Sequence, residues 1–188
     1  MSFLRLFMLA LLLAGPAHAA PEPPMRTLFS FDAGADESRW VAVNDGVMGG
    51  RSQGGPEVAG GLLRFSGVLS LENNGGFSSV RTMGRSFDFS GATAVVLRVR
   101  GDGRTYQLRL ATDARYRGIT VSWGGEFPTV AGQWTDVRVP LADLRPSVRG
   151  VALQGPPMDP GQVRELGLLL GDKREGPFQL DVDWIALE

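Results

Sequence analysis

The run Ala94-Val95-Val96-Leu97-Arg98-Val99-Arg100-Gly101-Asp102-Gly103-Arg104-Thr105-Tyr106-Gln107-Leu108-Arg109-Leu110 decides the fold. Side chains alternate across an extended chain, so Val95, Leu97 and Val99 share one face and Val96, Arg98 and Arg100 share the other. Gly101-Asp102-Gly103 has the residues of a turn. Tyr106, Leu108 and Leu110 then alternate with Gln107 and Arg109. Period two on both sides of a turn means β-strands with one apolar face. It places Arg98, Arg100, Gln107 and Arg109 on neighbouring strands of one outer face, either solvated or binding an anion or a sugar.

The same pattern extends outward. Ile119, Val121 and Trp123 alternate with Thr120 and Ser122. Trp134 opens a strand with Val137, Val139 and Leu141 inward, and Pro140 marks an edge or a strand end. Leu166 to Leu170 is a continuous apolar run, read as a buried central strand. Phe178, Leu180, Val182 and Trp184 alternate with Gln179, Asp181 and Asp183. Upstream, Leu28–Phe31 and Trp40–Val43 read as strands. Leu62–Phe65 and Val68–Leu71 read as a pair joined around Ser66-Gly67, and Phe77–Arg81 follows. Pro160–Glu165 suggests one helical turn. Turn residues recur about every ten positions, the spacing of an all-β sandwich or barrel. No segment carries a long apolar stripe of helical period. Three of the four tryptophans are expected in the core.

The first residues differ in kind. Arg5 precedes the apolar run Leu6 to Ala14, then Gly15-Pro16 and Ala17-His18-Ala19. A positive start, a short apolar stretch and a small-residue site describe an export signal over residues 1–19. The run is too short to span a bilayer, so stable membrane insertion is not expected. The expected location is periplasmic. Residues 20–26 are an extended lead-in, and 27–188 form one domain. The chain has no cysteine, and its single histidine, His18, lies in the leader. Thiolate chemistry, catalytic triads and histidine-ligated metals are thereby excluded from the mature chain. Net charge is -1 and there is no basic block, so nucleic acid is not an expected partner. Lys173 is the only lysine.

Two runs are not strand scaffold: Asn44-Asp45-Gly46-Val47-Met48-Gly49-Gly50-Arg51-Ser52 and Leu71-Glu72-Asn73-Asn74-Gly75-Gly76-Phe77-Ser78-Ser79-Val80-Arg81. Glycine pairs cost chain entropy, so they signal special turns or close backbone approach. The two runs are expected to meet at one end of the fold and make a recognition surface. Its candidate residues are Asn44, Asp45, Met48, Gly49, Gly50, Glu72, Asn73, Asn74, Gly75, Gly76, Phe77 and Arg81. Met48 and Phe77 would be apolar anchors, the Asx and Glu side chains hydrogen-bonding groups. Arg81 is expected to pair with Asp45 or Glu72. Asp45 and Glu72 are also the one carboxylate pair that acid–base catalysis could use. No cofactor is expected; the ion that would suit the loops is a structural calcium on Asp45, Glu72, Asn73 and Asp102.

These two runs, with Trp40, Phe65-x-Gly67, Arg100-Gly101-Asp102-Gly103-Arg104-x-Tyr106, Trp134, Pro140, Arg149-Gly150 and Gly176-Pro177-Phe178-x-Leu180, resemble the complex I intermediate-associated protein family. The resemblance implies a galactose-binding-like jelly-roll β-sandwich. It also implies a non-enzymatic role in assembling a respiratory complex, with a protein as partner. An export signal departs from the matrix setting of the mitochondrial members. The alternative is a periplasmic carbohydrate-binding module.

Overall fold

A computed structural model describes residues 24–32, 40–155 and 157–188. The leader and most of the lead-in lie outside these residues. The described chain is almost wholly antiparallel sheet, as its alternation requires.

One sheet holds β3 (Gln53–Ala59), β4 (Leu62–Leu69), β13 (Gly176–Leu187), β6 (Ala94–Arg100) and β9 (Trp134–Pro140), in that order. β4 covers one edge of β13 over residues 176–182, and β1 (Arg26–Phe29) continues that edge over residues 185–187. The other sheet runs β11 (Val151–Ala152), β10 (Arg145–Val148), β8 (Ile119–Pro128), β7 (Thr105–Tyr116), β12 (Val163–Leu170), β5 (Ser78–Thr82) and β2 (Trp40–Ala42). Helical geometry among the described residues is limited to short 3₁₀ turns. None of these residues forms a helix long and apolar enough to cross a membrane.

The core lies between the inner faces. Leu63, Phe65, Val95, Leu97, Val99, Tyr106, Leu108, Leu110, Leu166, Leu168, Leu170, Leu180 and Val182 are all fully buried there. β12 is a central strand, as its unbroken apolar run predicts. β9 is an edge strand, which tolerates Pro140.

Four expectations are corrected. Ser66-Gly67 is not a turn but the middle of β4. Gly67 sits there because a Cβ would strike the Gln53 carbonyl of the neighbouring strand. The partner strand, β3, carries Gly54-Gly55-Pro56 and so lacks a side-chain signal. Arg98 and Arg100 do not share a face with Gln107 and Arg109, since β6 and β7 belong to different sheets. A bulge between Val182 and Trp184 in β13 breaks the alternation. It turns Trp184 outward beside Arg98, while Ile185 and Leu187 are buried. Two tryptophans are therefore buried, Trp40 and Trp123, not three.

Candidate functional site

The two glycine runs do meet. The first leads from β2, an edge of the seven-stranded sheet, across to β3 in the other sheet. The second leads from β4 back to β5. Backbone bonds continue the β2–β5 pairing into them: Val43 N–H donates to Ser79 O (2.8 Å) and Ser79 N–H to Val43 O (3.1 Å).

Asp45 pins the loops together. It is fully buried. Its Oδ1 accepts from the Ser52 N–H (2.9 Å). Its Oδ2 accepts from Ser52 Oγ–H (2.6 Å), Gly76 N–H (2.7 Å) and Phe77 N–H (3.2 Å). Burial pushes this carboxyl upward in pKa, but the Ser52 hydroxyl and the Gly76, Phe77 and Ser52 amides outweigh it. The net direction is down. A carboxylate ringed by N–H donors has no proton to give and no lone pair facing solvent.

Two glycines exist to admit this carboxylate. A Cβ on Gly50 would overlap the Asp45 carboxyl, and one on Gly75 would lie 2.6 Å from Oδ2. Gly49 serves the turn itself, with φ +90° after the 3₁₀ turn Asp45–Met48. Gly75 and Gly76 are buried. The motif's glycines thus permit close approach to a side chain of the same chain, and Asp45, Gly75 and Gly76 present nothing to a partner.

The amides are also engaged. Asn44 Nδ2 donates to Gly54 O (2.9 Å), and Asn44 Oδ1 accepts from Ser78 Oγ (2.6 Å). Asn73 Nδ2 donates to Gly49 O (3.1 Å), a second tie between the loops. Asn73 and Asn74 hold left-handed backbone, φ 55° and 59°, which Asn tolerates. Glu72 pairs with Arg51 at 3.1 Å on the exposed rim.

Arg81 pairs with neither Asp45 nor Glu72. Its Nη1 lies 3.5 Å from Glu165 Oε1, on the outer face of the seven-stranded sheet. Both Asp45 oxygens accept hydrogen bonds from this chain and Glu72 faces Arg51, so the two carboxylates are engaged separately. The calcium ligand set is dispersed as well. Asp102 accepts from Tyr106 Oη (3.1 Å) and Gln179 N–H (3.0 Å). No three acidic side chains gather anywhere among the described residues.

The exposed side chains of the loops include three apolar ones as well as Arg51, Glu72, Asn73 and Asn74. Val47 is 78% and Met48 59% exposed at the tip of the first loop, and Leu71 is 38% exposed on the second. Phe77 is half-buried. Val47 was not distinguishable from Met48 by composition; a one-turn helix with only Asp45 buried leaves both outward.

A third loop, between β12 and β13, supports the second. Leu71 N–H donates to Glu175 Oε1 (2.9 Å), and Lys173 Nζ to Gly75 O (3.3 Å). Arg104 clamps this loop: Nε and Nη2 donate to the two Asp172 oxygens (2.9 and 2.6 Å), and Nη2 also to Arg174 O. The signal for Lys173 was its being the lone lysine among arginines.

Over residues 29–182 the chain matches the family model of Complex I intermediate-associated protein 30 (CIA30). It is 26% identical over 190 residues to Complex I intermediate-associated protein 30, mitochondrial, of Mus musculus, covering 86% of this chain and 56% of that protein. The Drosophila melanogaster protein of the same name is 25% identical over 186 residues, covering 86% and 62%. The chain therefore spans less than two thirds of the length of these relatives.

Among solved structures, a family 11 carbohydrate-binding module from Clostridium thermocellum superposes with a TM-score of 0.66 at 13% identity, covering 87% of this chain and 94% of that one. The agarase AgWH50C superposes at 0.57 and 14%, covering 87% and 24%. Such low identity shows a shared jelly-roll sandwich and nothing of ligand. The family match spans both glycine runs and nearly every strand, and the chain belongs to the Complex I intermediate-associated protein 30 family.

Proposed function

We propose that the chain is a non-catalytic binding module that engages a protein partner through its pinned loops, in an assembly or chaperoning role. The observation that carries this reading is the exposed Val47–Met48 pair on a turn held from beneath by the buried Asp45. An apolar tip on a rigid support loses little conformational freedom on docking. Apolar anchors of this kind supply much of an interface's energy.

The name of the mitochondrial relatives, associated with complex I intermediates, supports a protein assembly intermediate as the partner. The leader-like residues 1–19 support a periplasmic setting, with an envelope or respiratory complex as client. A non-catalytic role agrees with the described residues holding neither imidazole nor thiol.

The test is photocrosslinking in cells from a photoreactive residue at position 47, with one at Gly60, in the β3–β4 turn, as control. A defined partner should be labelled from position 47 and lost on Met48→Asp. Equal labelling from both positions would overturn the reading.

Carbohydrate binding is the second reading. Trp134 favours it: the indole is half-buried on the outer face of the six-stranded sheet, with Arg100 Cζ 4.9 Å from its ring centre and Asp181 beyond. Tryptophan fluorescence titrated with glucan oligosaccharides, and repeated with Trp134→Ala, tests it.

A further inference from the structure

The outer face of the seven-stranded sheet holds a cation that lacks a counter-charge of its own. Strand register brings Arg81 (β5), Gly167 (β12), Arg109 (β7), Gly124 (β8) and Arg145 (β10) into one row. Arg109 packs over Gly124, where a Cβ would lie 2.7 Å from Nη1. Its Nε–H donates to Ser122 Oγ (3.0 Å), Nη1 to Gln107 Oε1 (3.3 Å) and Nη2 to Ser147 Oγ (3.0 Å). All three acceptors are neutral.

A guanidinium has five N–H groups. Two on Arg109, one on each terminal nitrogen, find no acceptor among the described residues. Burial lowers its pKa, the nearby Arg81 adds to this, and Glu165 opposes it. Glu165, however, is the partner of Arg81. Glu126, on the same face, receives Gln107 Nε2 at 3.2 Å. Arg145 is turned to the carbonyls of Ala142 and Leu144. Two guanidinium groups therefore share one carboxylate.

A cation withdrawn from water is costly unless paired. A guanidinium fork with an N–H on each terminal nitrogen matches the two oxygens of a carboxylate. Other side chains that the strands turn to this side include Val41, Ser79, Leu169 and Ala111, and the half-buried Phe77 borders it beside Leu169.

We propose that this face is a second binding site, in which Arg109 with Arg81 beside it receives the carboxylates of an acidic peptide segment of a protein partner. The site is separate from the Val47–Met48 tip and does not depend on it.

The probe is a fluorescein-labelled poly-glutamate peptide, read by anisotropy against the full chain, with poly-glutamine as the uncharged control. Saturable, salt-sensitive binding of poly-glutamate alone is expected. Arg109→Gln should weaken it about tenfold or more, the worth of a charge-assisted bond. Arg109→Lys should also weaken it, because the fork is lost while the charge stays. Glu165→Gln should tighten it, by freeing Arg81. Met48→Asp should leave it unchanged, which separates this site from the loop surface. A cooperative melting transition well above the assay temperature establishes that each variant is folded. Absence of saturable binding would overturn the proposal, as would Arg109 variants that bind like the parent. Oligogalacturonate binding where poly-glutamate fails would also overturn it, reassigning the face to acidic sugars.

Discussion

Asp45 Oδ2 accepts the backbone N–H of Gly76 at 2.7 Å across 31 positions of sequence. That bond is the seam between two loops that each cross from one sheet to the other. Asp45→Asn keeps the shape but turns an amide NH2 toward backbone donors, leaving at least one buried N–H without an acceptor. The expected cost is about 2–4 kcal/mol, from lost charge-assisted bonds and an unsatisfied donor. For a domain of this size that is a drop of roughly 5–15 °C in melting temperature. Circular dichroism melts check it; a shift under about 2 °C would mean that the seam carries little.

The glycines separate into those that make room and those that do not. Gly50→Ala drives a methyl group into the Asp45 carboxyl, and Gly75→Ala does the same from the other loop. Each should cost about 1–3 kcal/mol by overpacking. Gly46→Ala faces open space at ordinary backbone angles and should stay within about 0.5 kcal/mol. Denaturant midpoints of the three variants decide the matter.

Acid should loosen the same seam. The pKa of Asp45 is lowered: burial raises it, and the Ser52 hydroxyl and three amides more than reverse that. Asp181 is also lowered; burial opposes, and Arg100 and Arg64 prevail. A carboxyl whose folded pKa lies below its unfolded value stabilises fully above the unfolded value, and the gain is lost as pH falls through the folded one. Stability should thus decline from about pH 4 downward. Asp45→Asn should flatten that decline. Glu165 has the opposite sign, since burial raises its pKa against Arg81 and Arg109. Its ionisation costs stability at neutral pH, so Glu165→Gln should be neutral or stabilising there. Unfolding curves across pH 2.5–7 check both signs.

Arg104 is 5% exposed and grips Asp172 with two nitrogens. Lysine keeps the charge but not the fork. Arg104→Lys should cost about 2–4 kcal/mol. It should also speed amide hydrogen exchange in residues 171–175 and in the second glycine run that they brace, while leaving β6 and β13 protected.

Local alternation made β6, β7 and β8 readable, and an unbroken apolar run did the same for β12, because most inward side chains are large and apolar. It could not say which sheet a strand joins. Arg98 and Arg109 look like neighbours across a turn, yet Gly101–Arg104 carries the chain from one sheet to the other. β3 was silent because Gly54, Gly55 and Pro56 offer no pattern, and an edge strand permits them. The meeting of the two glycine runs was legible from their shared oddity. The task of Asp45 was not: the same residue type serves on a surface or as a buried acceptor, and only the surrounding donors tell these apart. Trp184 was misread because a bulge leaves no mark in the residues themselves.

The carboxylate seam also has a bearing on where the protein can mature. A cross-connection made of hydrogen bonds needs no oxidant, no isomerase and no thiol to protect. It closes equally well in a reducing or an oxidising compartment. The seam therefore sets no redox condition on the compartment in which this chain folds; the condition it does set is on acidity, since its strength rests on a charged carboxylate.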